Sequence, residues 1–127
     1  MSPAGVRLVL VDDDASTRFL MEHGLARLGH EVTAFDDPQA ALRAVREAPD
    51  HFDAVITDYG LHGLSGLELA GALRRVRGKL RVILVSGYVT DELRAAAAQA
   101  GVGDVLLKRL SAKELCELIH RLVSPAA

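Results

Sequence analysis

Five short apolar runs recur along the chain, separated by longer stretches whose apolar residues repeat at three- and four-residue spacing. The first run, Val6–Val11, is continuously apolar apart from Arg7 and reads as a strand buried on both faces. From about Ala15 to Leu28 the pattern turns helical, with Leu20, Met21, Gly24, Leu25 and Leu28 assigned to one face and Gly29 as the stop. Glu31–Phe35 is a second, short strand. Asp37 then stands as N-cap and Pro38 at the first helical position of a helix that ends before Pro49. Asp53–Asp58 reads as the third strand. Ser65-Gly66-Leu67-Glu68 has the capping-box pattern and opens a helix to about Val76. Arg81–Ser86 is the fourth strand, and Thr90-Asp91-Glu92 opens a helix closed by Gly101. Asp104–Leu107 is the fifth strand. Ser111-Ala112-Lys113-Glu114 is a second capping box, and the helix after it carries Leu115, Leu118, Ile119 and Leu122 on one face. Ser124–Ala127 reads as a tail.

Strands alternating with helices in this way imply an α/β fold with a parallel sheet covered on both sides. The expected architecture is a flavodoxin-like, doubly wound five-stranded sheet of order 2-1-3-4-5 with five helices. A length of 127 residues suits a single domain, 1–127, with its core over about 6–123. Half the residues are hydrophobic and 4% aromatic, so the core has to be built from Val, Leu, Ile and Ala. The 15 basic residues are scattered against 17 acidic ones, which gives no basic stripe and no expectation of direct nucleic-acid binding. Arg74, Arg75, Arg77, Lys79 and Arg81 cluster locally, as a solvated helix end and turn would. The single cysteine, Cys116, reads as a small packing residue. No apolar run approaches the ~20 residues that span a bilayer, and no secretory signal is evident near Met1. The expectation is a cytoplasmic protein without a membrane partner.

In a doubly wound sheet the working site lies beyond the carboxyl ends of the strands, where strand order reverses. The polar residues of this chain collect at those ends. The first strand closes on Asp12-Asp13-Asp14, the third on Asp58, the fourth on Ser86-Gly87 and the fifth is followed by Lys108. Carboxylates sharing a crevice repel one another unless a cation lies among them. All-oxygen donors select a hard ion, and Mg2+ needs few protein ligands. A lysine beside them balances charge, and a serine hydroxyl can donate to the same group. Together these residues suit phosphoryl transfer, where catalysis is mostly positioning and charge neutralisation. Asp14 reads instead as a helix N-cap and is set aside as a ligand.

These segments also carry a family resemblance. Leu8-Val9-Leu10-Val11-Asp12-Asp13-Asp14, with Arg18 beyond, resembles the opening of response-regulator receiver domains of two-component signalling. Ile56 to Gly66 resembles their phosphoacceptor loop, and Val82 to Gly87 and Gly101 to Lys108 complete the set. The likeness covers roughly residues 6 to 123. It implies Asp58 as nucleophile and phosphoacceptor, with Mg2+ held by Asp12, Asp13, Asp58 and the Gly60 backbone carbonyl. It implies that Ser86 hydrogen-bonds a phosphoryl oxygen and moves on activation, and that Lys108 pairs with the phosphoryl group. The implied donor is a phosphohistidine on a sensor histidine kinase or a histidine phosphotransfer domain; no downstream target is implied. A stand-alone regulator, or a receiver excised from a hybrid sensor kinase or a larger regulator, fits.

The chain departs from the family at several points. Arg109 stands where Pro usually follows the lysine, and a cis bond before a non-proline residue costs ~2.5–4 kcal/mol. A trans Lys108–Arg109 bond and a reshaped loop are therefore expected. Val105 stands where that family usually has an aromatic switch residue, so the coupling of serine and aromatic ring cannot operate as normally described for it. His62 stands where Pro is typical and reads as an exposed loop residue. Gly60 and Tyr88 occupy positions that tune phosphoryl hydrolysis; Tyr88 can shield the site. His23, His30, His51 and His120 lack metal-site spacing and read as surface residues. Two other functions compete. A small-molecule phosphatase with an aspartyl-phosphate intermediate generally needs a cap, and no insertion supplies one. A degenerate receiver acting only as a binding module is at odds with the intact acidic, Ser86 and Lys108 set. The protein is therefore expected to be a switch, catalysing only its own phosphorylation and dephosphorylation.

Overall fold

A computed structural model describes residues 5–108 and 111–124. In chain order the elements are β1 (Arg7–Val11), α1 (Ala15–Arg27), β2 (Glu31–Phe35), α2 (Pro38–Glu47), β3 (Ala54–Asp58), α3 (Gly66–Val76), β4 (Arg81–Ser86), α4 (Asp91–Gln99), β5 (Asp104–Leu107) and α5 (Ala112–Val123). The strands form one sheet of order β2-β1-β3-β4-β5, and every neighbouring pair is parallel. This is the expected α/β architecture.

The continuous apolar runs follow from burial on both faces, because successive side chains point to opposite sides of a strand. Val9, Val11, Val55, Val82 and Leu84 join Leu69 and Leu73 of α3 and Leu42 and Val45 of α2 in one core. Leu8, Leu10, Ile56, Ile83 and Val85 join Met21 and Leu25 of α1 and Leu115, Cys116 and Ile119 of α5 in the other. Val105 packs against the margin of the first core.

Helix starts follow the local sequence. The Ser65 hydroxyl accepts from the Glu68 amide at 3.1 Å while the Glu68 carboxylate accepts from the Ser65 amide at 3.0 Å. Ser111 and Glu114 repeat the arrangement on α5. Asp14 caps α1, accepting from the Thr17 amide at 3.0 Å.

Two expectations need correction. Leu20 does not share the buried face of α1: it is 55% exposed, and Leu28, at the C-cap beyond the last helical residue, is 37% exposed. Met21 and Leu25, one turn apart, take the inward stripe, and a neighbour such as Leu20 lies about 100° around the helix from Met21. Gly24 completes the stripe by close approach, for a Cβ there would stand 2.7 Å from the Cys116 sulfur of α5. His30 is likewise not a surface residue, being only 6% exposed. Its Nδ1 accepts from the Val6 amide at 3.1 Å, and its Nε2 lies 2.8 Å from Nδ1 of His120. These bonds let a polar ring replace solvent at the base of β1 and β2. The Lys108–Arg109 bond and its loop lie outside the described residues.

Candidate functional site

Parallel strands end at the same edge of the sheet, so the residues closing β1, β3, β4 and β5 meet there. Asp12 follows β1, Asp58 ends β3, Ser86 ends β4 and Lys108 follows β5. The chain leaves β1 toward β2 on one side and returns to β3 on the other, which opens a crevice at the β1/β3 edge. Carboxylate oxygens of Asp12, Asp13 and Asp58 lie within 4.8 Å of one another. Asp12 and Asp58 are buried, whereas Asp13 is half-open to solvent.

Each group is held differently. One Asp12 oxygen accepts from the Asp14 amide at 2.9 Å, and the Arg18 guanidinium donates to the Asp12 carbonyl at 2.8 Å. The Lys108 ammonium lies 3.2 Å from Asp12 Oδ2 and 3.2 Å from Asp58 Oδ2. The Lys108 amide donates to the Ser86 carbonyl at 2.7 Å, which ties its backbone to the end of β4. The Ser86 hydroxyl donates to the Tyr88 carbonyl at 2.7 Å and accepts weakly from the Tyr88 amide at 3.3 Å. The Tyr88 ring is largely exposed. Beyond Asp58 the backbone passes close to the first turn of α3, where a Cβ on Gly66 would meet the Asp58 carbonyl at 2.5 Å. Only glycine permits that approach.

The electrostatics follow from three carboxylates facing one ammonium. Burial pushes the Asp58 carboxyl above its ordinary value; Lys108 opposes this, and Asp12 and Asp13 add to it. Burial alone would depress Lys108, but Asp12 and Asp58 outweigh it and hold the ammonium above its ordinary value. Lys108 is therefore charged, and the site retains excess negative charge. An all-oxygen donor set with unbalanced negative charge fits a hard divalent cation.

Of the residues singled out in the sequence, Asp12, Asp13, Asp58 and Lys108 are brought together. Ser86 ends the neighbouring strand with its hydroxyl engaged by Tyr88. Gly60 lies two residues beyond Asp58 in the exposed loop. The periodicity gave no sign that His62, 49 residues from Asp13 in the chain, places Nδ1 2.7 Å from Asp13 Oδ2. The glycines at 60 and 63 mark its loop as a tight one, but not its contact.

Among the described residues, no helix is long and apolar enough to cross a membrane. The chain is 31% identical over 121 residues to the two-component response regulator ARR14 of Arabidopsis thaliana, covering 95% of this chain and 32% of that protein. It is 32% identical over 115 residues to the response regulator protein FleR of Pseudomonas aeruginosa, covering 91% and 24% respectively. It thus spans about a third or less of the length of these relatives. The virulence sensor protein BvgS of Bordetella pertussis is 35% identical over 130 residues, covering 96% of this chain and 10% of BvgS. The fold closely matches the chemotaxis protein CheY4 of Vibrio cholerae, with TM-score 0.84 and 24% identity over 93% of this chain and 98% of that one. The receiver domain of the NarL regulator of Mycobacterium tuberculosis superposes with TM-score 0.83 at 27% identity, covering 95% and 98%. Residues 8–120 match the model of the response regulator receiver domain, and with acidic residues and lysine gathered at the strand ends the chain belongs to that family.

Proposed function

We propose that Asp58 is the phosphoacceptor of this two-component receiver and that a phosphohistidine on a sensor histidine kinase or a histidine phosphotransfer domain is its donor. The observation that carries the reading is the placement of Asp58. Its carboxylate ends the central strand β3, beside Asp12 and Asp13 and 3.2 Å from the Lys108 ammonium.

In the proposed step a carboxylate oxygen of Asp58 attacks phosphorus in line. The P–N bond to the donor imidazole breaks, and its electron pair stays on that nitrogen. Asp12, Asp13, Asp58 and the Gly60 carbonyl would hold Mg2+. When bound, that ion supplies neutralising charge for the phosphoryl oxygens. Lys108 supplies further positive charge from the β5 side. Ser86 donates to a phosphoryl oxygen, for which its hydroxyl must leave the Tyr88 carbonyl; that exchange is the proposed conformational signal. Water later attacks the acyl phosphate, releasing inorganic phosphate and restoring the Asp58 carboxylate.

The protein is thus a switch that catalyses only its own phosphorylation and dephosphorylation, and we place its work in the cytoplasm. Its alignment with part of BvgS, a virulence sensor protein, makes the receiver of a hybrid kinase one fitting context.

Incubation with acetyl phosphate and Mg2+, followed by intact-mass measurement, tests the reading. A single phosphoryl adduct is expected, absent with excess EDTA and absent in Asp58→Asn. An adduct of equal yield in Asp58→Asn would overturn the assignment. Turnover of many small phosphate esters would favour a phosphatase, and failure to form any adduct or bind Mg2+ a degenerate receiver.

A further inference from the structure

The three carboxylates of the site are not equally constrained. Asp12 is fixed by the Asp14 amide and by Lys108. Asp58 is buried and paired with Lys108. Asp13 has neither partner, and its side chain is 24% exposed. Among the described residues, the hydrogen bond that orients its carboxylate comes from His62, whose Nδ1 lies 2.7 Å from Oδ2.

His62 is held over Asp13 by its loop. Leu61, on one side, packs against the core beneath α2 and α3, and its amide bonds the Tyr59 carbonyl at 3.2 Å. On the other side Gly63 has φ +89°, a backbone state that lets the chain turn away immediately. The imidazole between these points is 97% exposed, so packing does not explain its position. The tether and the Asp13 oxygen do.

We infer that His62 is a positioning residue that sets the rotamer of Asp13 and thereby strengthens the site's hold on a divalent cation. The inference rests on reading the aspartate cluster as a metal site. A carboxylate has two oxygens, so an N–H donated to Oδ2 leaves the other free for a cation. Hydrogen bonds to ligating carboxylates orient them and raise metal affinity. Fixing a mobile side chain before binding lowers the ordering cost of binding. His62 acts through Asp13 and has no role in the bond-making step.

The test is titration of the full chain with Mg2+ at one fixed pH near 8, followed by backbone amide shifts in two-dimensional NMR. Wild type, His62→Ala, His62→Asn, Asp13→Asn and the double variant His62→Ala/Asp13→Asn are compared. Asn places an N–H donor close to the position of imidazole Nδ1, so it separates hydrogen bonding from loop structure. Exposure puts the expected effect at or below the low end for outer-shell partners, roughly a three- to ten-fold rise in Mg2+ Kd for His62→Ala. His62→Asn should remain within about two-fold of wild type, and His62→Ala should have no further effect once Asp13 is changed. An unchanged Kd in His62→Ala overturns the inference while leaving the metal site standing, provided Asp13→Asn weakens Mg2+ binding to a higher but still measurable Kd. Equal weakening by His62→Ala with or without Asp13 also overturns it, since the effect would not run through that carboxylate. If wild type shows no Mg2+ binding, the metal reading falls and this inference with it.

Discussion

Asp58 occupies a position that costs stability once its carboxyl ionises. Burial holds its native pKa above the ordinary 3.8, so the unfolded chain releases this proton first as pH rises. The resulting penalty on the native state is absent well below 3.8, grows as pH rises past it and is complete above the raised native value. Asp58→Asn removes the penalty while Lys108 retains Asp12. In EDTA at neutral pH the variant should unfold at higher urea, by on the order of 1 kcal/mol. The difference should vanish near pH 3; a less stable variant at neutral pH would contradict this account. His30 works in the opposite sense. Burial first, then His120, holds it below 6.5. Its contribution is fully present above pH 6.5 and is lost as pH falls through the depressed native value. The geometry supplies the reason, because a proton on Nδ1 would displace the Val6 amide. Urea midpoints should therefore fall between about pH 7.5 and 5, with a slope of at most about 1.4 kcal/mol per pH unit from this residue. His30→Asn should flatten that slope.

Between elements, two close approaches depend on glycines, at Gly24 and Gly66. Gly24 allows α1 to approach α5 until a Cβ would stand 2.7 Å from the Cys116 sulfur. Helix propensity alone favours alanine at Gly24 by about 1 kcal/mol, but overpacking costs about 1–3 kcal/mol. Gly24→Ala should therefore be neutral to destabilising alone, and more stable when combined with Cys116→Ala, as a double-mutant cycle of denaturation midpoints would register. Gly66 has no such remedy. The atoms facing its absent Cβ include the Asp58 carbonyl at 2.5 Å and the Tyr59 Cα at 2.9 Å, both main chain. Gly66→Ala must displace the segment that carries Asp58. It should lower acetyl-phosphate adduct yield as well as stability, and normal yield in a folded Gly66→Ala protein would argue against this coupling.

At the scale of the molecule, two cores grip one sheet while its carboxyl-terminal edge carries an unbalanced acidic site. A cation that binds only the folded form adds stability by linkage, ~2.7 kcal/mol at a hundred-fold excess over Kd. Mg2+ should raise the thermal midpoint of wild type, and EDTA should reverse the rise. In Asp13→Asn the rise should largely disappear. A Mg2+-dependent rise of equal size in Asp13→Asn would place the stabilising ion elsewhere.

Much of this arrangement is written in local order. Strands buried on both faces require uninterrupted apolar runs such as Leu8-Val9-Leu10-Val11, and the first polar residues after that run, Asp12 and Asp13, must lie at the strand end. Alternating strands and helices force parallel pairing, so Asp58, Ser86 and Lys108 reach the same edge as Asp12. Helix starts at Ser65 and Ser111 are equally local, since a capping box closes within four residues. The remaining features depend on distances that no local pattern contains. His30 meets His120 across 90 residues, and His62 meets Asp13 across 49. Periodicity marks an apolar face but leaves its angular width open, so Leu20 and Met21 look alike until α5 takes one side of α1. The chain's own order determined the fold and the edge where its chemistry gathers, because both follow from strand burial and chain direction. Tertiary structure alone decided which imidazole is buried and which carboxylate is left to be held by a loop, because only packing brings such remote side chains within hydrogen-bond range.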